Sequence, residues 1–359
     1  MKKRLYVDFH VLQTVPPSCI NRDDTGSPKT AIYGGVTRAR VSSQAWKHAM
    51  RQAFVEESLL DEEDVGKRTK KVTELVEKEI AALAPDMDAA KLAKKVVKNT
   101  GLKVDEKKDE KKLKTLIFLS KAQVRALAKL GIEGCTEAQK YKDALGAAPS
   151  VDMVLFGRMV AEAASLNYDA AAQVAHSIST HAVQNEYDYF TAVDDCPDSD
   201  NAGASHLDTK EYNSATLYRY ATVNVMALER HLGAEKAAEV VRSFGEAFIR
   251  SMPTGSQNTF ANRTLPDAVY VTIREDQPVN LCGAFERAVR KSAEGYAEPS
   301  KSALQAYAQQ LYQSFAETPA KSFTVGTGLE ALAPAQPLNT MLDALEEAVK
   351  ENLTGNEVE

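Results

Sequence analysis

Between residues 61 and about 150 the chain is built mainly from Lys, Glu, Ala and Leu, with few aromatic and few β-branched residues. Segments before and after it alternate polar and apolar side chains instead. Straight-chain residues keep their rotamer freedom in a helix, whereas β-branched and aromatic residues pack well on a pleated surface. The switch therefore predicts a helical insertion inside a fold that has strands on both sides.

Leu5, Val7, Phe9 and Val11 alternate with Tyr6, Asp8 and His10, the period of a half-buried strand over residues 4–12. A loop dense in turn residues follows, from Pro16 and Pro17 through Asn21, Asp23, Gly26 and Pro28 to Gly34 and Gly35. A short strand over 37–41 then leads to Ser42 or Ser43 as the cap of a helix reaching about residue 60, with Trp46, Met50, Ala53 and Phe54 as its apolar stripe. The lysine-rich stretch 91–114 reads as a solvated helix or loop and a poor core candidate. Beyond it come an apolar helix over 153–166, a small-residue helical segment over 170–181 and a turn-rich tip over 196–209. Strands at 217–225 and 268–273, helices at 234–249 and 279–292, and an acidic surface helix at 338–353 complete the order. An α+β layer fold accommodates it.

The chain of 359 residues carries a formal net charge of -6, which looks wrong for a protein that binds nucleic acid. The distribution reverses that impression. Residues 1–51 contain nine Lys or Arg against three acids, so the remainder carries -12. Such asymmetry predicts one anion-binding face on an acidic body. No apolar run is long enough for a membrane span, so no membrane partner is expected. The four cysteines lack any CxxC spacing, which argues against a zinc site or disulfide framework.

The basic face centres on the loop and the following helix start. Arg22, Lys29, Lys47 and Arg51 can make charge-assisted bonds to phosphates, while Ser42, Ser43 and the free amides of a helix N-terminus add neutral donors. A solvated basic surface with an ordinary cap is the competing reading. No Walker-type spacing occurs, so no nucleotide cofactor is expected, nor any other. Tyr187, Tyr189 and Phe190 could stack on bases, although alternation into a core is the reading these residues favour by themselves. His176 and His181 lie five apart, which does not put two ligands on one helical face.

Several blocks together resemble a known family. These are HVL (His10–Leu12), PSCINRDD (Pro17–Asp24), the AI-aromatic-GG run (Ala31–Gly35) and the R-x-R-x-SSQ-x-x-K-x-AMR helix start (Arg38–Arg51). GRM (Gly157–Met159), AHSISTH (Ala175–His181), FTAVDD (Phe190–Asp195), SHL (Ser205–Leu207) and YRYA (Tyr218–Ala221) follow in the same order. The chain resembles the CasC family, the backbone subunit of the type I-E CRISPR complex called Cascade. That resemblance implies a ferredoxin-like, RNA-recognition-type palm, a helical finger insertion and a thumb hairpin. It divides the chain into palm at 1–60, finger at 61–150, palm helices at 151–182, thumb at 183–214 and the rest of the palm at 215–359. The implied function is not enzymatic. The palm would hold crRNA through Arg22, Lys29, Ser42, Ser43, Gln44, Lys47, His48 and Arg51, and Met159, Phe190 and Thr191 would wedge against a guide base displaced at regular intervals. Partners would be crRNA, target DNA through the guide, other copies of the chain and other Cascade subunits. His48 stands where a second basic residue is expected, and Tyr189 where a larger aromatic is common. An alternative is a metal-dependent ribonuclease using Asp194 or Asp195, since related backbone subunits of other CRISPR types cut RNA with a loop aspartate.

Overall fold

The computed structural model describes residues 4–105, 109–160, 163–192 and 206–355. With elements numbered along the whole chain, one compact unit draws on Met1–Ala53, Val174–Met226 and Val241–Glu359. Its sheet contains β1 (Tyr6–Ser18), β2 (Thr30–Tyr33), β3 (Val36–Val41), β9 (Ser177–Ser179), β11 (His206–Asn224), β12 (Ala268–Arg274) and β13 (Lys321–Gly326) in the order β13-β12-β1-β11-β9-β3-β2. Neighbours pair antiparallel, with His10 opposite both Tyr220 and Tyr270. Helix α1 (Ser43–Glu56) follows β1, and α8 (Ala234–Arg250) follows β11. The succession β1, α1, β9, β11, α8, β12 with spatial order β12-β1-β11-β9 is the split βαββαβ arrangement of ferredoxin-like folds. The α+β expectation holds.

Strand β1 is buried on both faces, not one. Val7, Phe9 and Val11 face one layer, in which the Phe9 ring lies 5.6 Å from Phe244 of α8. Asp8, His10 and Leu12 face the other, together with Tyr218, Tyr220 and Tyr270. Alternation was a true signal of the strand but a false one of solvent, because the polar positions are partnered inside: Asp8 accepts from the Tyr220 hydroxyl at 3.1 Å and the Val279 amide at 2.8 Å. That second face is closed by a short 3-10 turn at Leu281–Phe285 and by α10 (Ala297–Ser314), which buries Leu304 and Ala308. The expected helix over 279–292 is absent. Its backbone is held open because the buried Arg38 guanidinium takes the carbonyls of Phe285 and Glu286. The segment 170–181 is likewise not helical; β9 forms there by pairing with β3 and β11. The C-terminal helix α11 (Leu338–Thr354) is no surface element, since it buries Met341, Leu342, Leu345 and Val349. A ribbon of β10 (Glu186–Ala192) and the first half of β11 extends the same unit, with α9 (Gln257–Phe260) near its base through the Lys210–Thr259 contact.

The second unit draws on Phe54–Gln173 and Ala227–Val240. Helices α2 (Val72–Leu83), α3 (Ala89–Thr100), α4 (Lys121–Ile132), α5 (Ala138–Gly146), α6 (Val151–Phe156) and α7 (Val225–Leu232) lie wholly or largely in it. The short pairs β4 (Lys67–Thr69) with β7 (Ile117–Leu119) and β5 (Val104–Asp105) with β6 (Asp109–Leu113) lie in it too, and β8 (Ala172–Val174) closes the insertion. The lysine-rich stretch supplies core after all: Ala93, Val96 and Val97 of α3 are buried against Val76, Ile80 and Leu127, while the lysines occupy the opposite face. Ser120 caps α4 with a reciprocal box, donating and accepting with Gln123.

Candidate nucleic-acid interface

Helix α1 sorts its side chains by period. Trp46, Ala49, Met50 and Ala53 are buried, whereas Gln44, Lys47, His48 and Arg51 fall on one other face. Gln44 and His48 are exposed there, and Lys47 and Arg51 are half-buried. Trp46 fixes the helix: its Nε1–H donates to Ser177 Oγ at 3.0 Å, and its ring carries the buried Arg219 guanidinium 3.8 Å above the centroid.

The start of α1 is a knot of donors and acceptors. Ser42 Oγ accepts from the Ala45 amide at 3.4 Å, so Ser42 caps and Ser43 begins the helix. Asn21 Oδ1 accepts from the Ser42 amide at 2.9 Å, its carbonyl accepts from the Lys29 amide, and the Lys29 carbonyl accepts from the Arg40 amide. These bonds bring the loop carrying Arg22 and Lys29 beside the helix that carries Lys47 and Arg51. The loop closes on Asp23, whose Oδ1 accepts from the Thr25 hydroxyl and the amides of Thr25 and Ser27. The Thr25 hydroxyl, followed by these amides, holds the Asp23 carboxyl below the usual range and keeps it ionised.

His176 completes the knot. Its Nδ1 accepts from the Ser43 amide and from the Arg40 guanidinium, each at 3.3 Å, which places the ring proton on Nε2. Burial, then Arg40 and Lys29, lowers its pKa, so the ring is neutral at physiological pH. Burial also lowers the Lys47 pKa. The result is a surface of cations and polar side chains beside a helix start whose first amides are largely satisfied internally, a surface whose charge suits a polyanion.

The structure thus gathers Arg22, Lys29, Ser42, Ser43, Gln44, Lys47, His48 and Arg51 on neighbouring elements. Sequence reasoning missed Asn21, Arg40 and His176 as members. Asn21 stood in plain view, but its partner lies 21 residues away and no local pattern announces that bond.

Phe190 and Thr191 lie elsewhere in the same unit, on the β10–β11 ribbon, with Phe190 opposite Asp208. Core burial of the aromatics is overturned: Tyr187, Tyr189 and Phe190 are 62%, 70% and 43% exposed. Successive residues point to opposite faces, so exposure of both Tyr189 and Phe190 means neither face of the ribbon is covered. Met159 belongs to the second unit and is 85% exposed. It follows Arg158, whose buried guanidinium donates to the carbonyls of Leu166, Phe118 and Leu145 and so fixes the backbone there. Asp194 and Asp195 lie outside the described residues, as do positions 196–205 of the expected tip; 206–209 are strand. Among the described residues no cluster of His, Cys, Asp and Glu could hold a metal, and no helix is long and apolar enough to cross a membrane.

The chain is similar throughout to subunits of CRISPR surveillance machinery. A chain of a CRISPR RNA-guided surveillance complex in a pre-nicking state matches with a TM-score of 0.82 at 32% identity, over 96% of this chain and 100% of that one. A chain of another CRISPR RNA-guided surveillance complex matches with a TM-score of 0.63 at 30% identity, over 96% and 99%. No curated protein matches. The family model described as CT1975-like protein matches residues 7–351, and the chain belongs to that family.

Proposed function

We propose that this chain is a non-catalytic crRNA-binding subunit of a type I-E surveillance complex, repeated side by side along the guide. The observation that carries the reading is the convergence of Arg22, Lys29, Lys47 and Arg51 around the start of α1, on a chain whose net charge is -6. Phosphate contacts supply affinity independent of sequence. The guide's bases remain free to pair with target DNA, and pairing supplies specificity. The exposed Phe190 and Thr191 of the ribbon, and Met159, serve as wedges that displace guide bases.

The test is co-expression with partner subunits and a CRISPR array, followed by sizing chromatography with absorbance at 260 and 280 nm. The parent chain is expected in a large species rich in repeat-spacer RNA, and R22E/K47E/R51E in a nucleic-acid-free one. Assembly of the triple variant like the parent would remove the reading. Absence of catalysis is checked by incubating the assembled complex with complementary RNA and magnesium: intact RNA is expected, and periodic cuts that vanish in D194A or D195A would establish a ribonuclease.

A further inference from the structure

The segment between the 3-10 turn and α10 has no regular structure, yet it is pinned at each end and in the middle. Arg38, entirely buried, gives its guanidinium to Phe285 O at 2.8 Å and Glu286 O at 3.3 Å at one end. In the middle, the Val289 amide donates to Thr180 O at 3.0 Å. At the other end Tyr296 stacks on His181, with ring centroids 3.6 Å apart. Gly34 lies so close that a Cβ there would stand 1.6 Å from Glu286 O. Between the pins, Arg287, Arg290 and Lys291 are exposed, and none forms an ion pair among the described residues. Glu286 and Glu294 flank them without pairing to them. Packing Val289 against the core accounts for the ordering of this backbone, but not for the three exposed, unpaired cations it displays.

Position gives the cations a partner. His176, at the α1 knot, and Thr180, which holds Val289, stand just before and just after β9. Four residue steps of extended chain cover about 13 Å, the spacing of a few phosphates. We propose that Arg287, Arg290 and Lys291 form a second single-stranded RNA contact, which continues the phosphate track from the α1 face past the end of β9. This rests on the crRNA-binding reading above and adds a contact to it.

The test measures binding of a fluorescein-labelled oligouridylate, long enough to span several subunits, to the full chain across a salt series. Each phosphate contact with a single strand contributes about 0.7 to the slope of log affinity against log salt. The variant R287S/R290S/K291S should therefore lose about 2 from that slope and bind about tenfold more weakly at low salt. R287K/R290K/K291R should keep the parent slope, and unchanged Trp46 emission should verify the fold of both. An unchanged slope in the serine variant, with R22E/K47E/R51E still losing binding, would overturn this contact and leave the crRNA reading standing. Unchanged binding in R22E/K47E/R51E as well would overturn the reading itself. A serine variant that keeps its RNA slope but loses affinity for duplex DNA would also overturn the proposal, by assigning the patch to another nucleic acid.

Discussion

Strand β11 is one continuous strand with two opposite fates. From Asn213 to Asn224 it sits beside β1, and Leu217, Tyr218, Arg219, Ala221 and Val223 are all essentially buried. From His206 to Tyr212 it pairs only with β10, whose Tyr187, Tyr189 and Phe190 face solvent. The backbone is the same, so backbone propensity did not decide the difference. What differs is the second layer: helices and a pinned loop cover the inner half, whereas the outer half has its partner strand and, at its root, only the short α9. Polar residues of the inner half are therefore spent on internal partners, and apolar residues of the outer half stay available to something outside the chain.

The contrast predicts unequal costs for the same substitution. Tyr218→Ala removes a ring from the core, a hydrogen bond to His10 Nδ1 at 2.8 Å and the acceptor of the Leu281 amide. It should lower stability by about 5 kcal/mol, adding cavity and lost hydrogen bonds. Tyr189→Ala should change it by less than about 0.5 kcal/mol. Emission from Trp46, the one tryptophan, reports unfolding of this unit directly. Equal costs for the two would break the comparison.

Acid sharpens it. Burial pushes the Asp8 pKa up to about 6 and the His10 pKa down to about 3. Their signs oppose. The raised Asp8 favours the fold when protonated, a stabilisation complete below its unfolded pKa near 4 and lost as pH rises through about 6. The lowered His10 favours the fold when neutral, a stabilisation complete above about 6.5 and lost as pH falls toward 3. Between pH 6 and 4 the two nearly offset in the parent. Asp8→Asn, which can still accept from the Val279 amide, leaves His10 uncompensated and should lose about 3 kcal/mol more than the parent over that window. A variant with the parent's pH profile would show that Asp8 does not titrate there.

How far the sequence reveals all this follows the range of the interactions. Strands β1, β3 and β12 and helices α1, α8 and α11 were legible because alternation and a 3.6-residue stripe are written in neighbouring residues. Segment 279–292 was misread as helix because its pins, Arg38 and Thr180, lie more than 100 residues away. Segment 170–181 failed for the same reason: Ser177–Ser179 is strand only because β3 and β11 flank it. At the interface the charges were legible as an excess of nine against three, whereas the bonds that aim them, from Asn21 to Ser42 and from His176 to Ser43, join distant segments. The exposed ribbon aromatics were misjudged because alternation shows which residues share a face and not whether a layer covers it.

Within the outer half, the aromatics should register on RNA and not on stability. Stacking of a base on an exposed aromatic contributes about 1–3 kcal/mol. Phe190→Ala should therefore weaken assembly with crRNA by about tenfold to a hundredfold while leaving the Trp46 unfolding midpoint in place. A guide carrying 2-aminopurine at a displaced position should report the same loss as a fall in fluorescence, since a base no longer wedged out returns to its stack. Loss of stability without change in RNA binding would move Phe190 to the inner class.

The smallest effect lies where the ribbon meets the sheet. Lys210 Nζ stands 5.3 Å from the Phe260 ring and donates to Thr259 Oγ1 at 3.1 Å, both on α9. A cation over an aromatic at an exposed site contributes about 0.5–1 kcal/mol, too little to move the unfolding of the unit measurably. Its consequence is local instead. With Lys210→Met the root of the ribbon keeps the Tyr212 ring 5.9 Å from Phe260 but loses its polar tether to α9, and amides of the outer half should exchange with solvent several-fold faster while those from Leu217 to Val223 keep the parent's protection. If both halves quicken together, β11 opens as a single cooperative unit, and the division between its inner and outer halves is one of exposure alone.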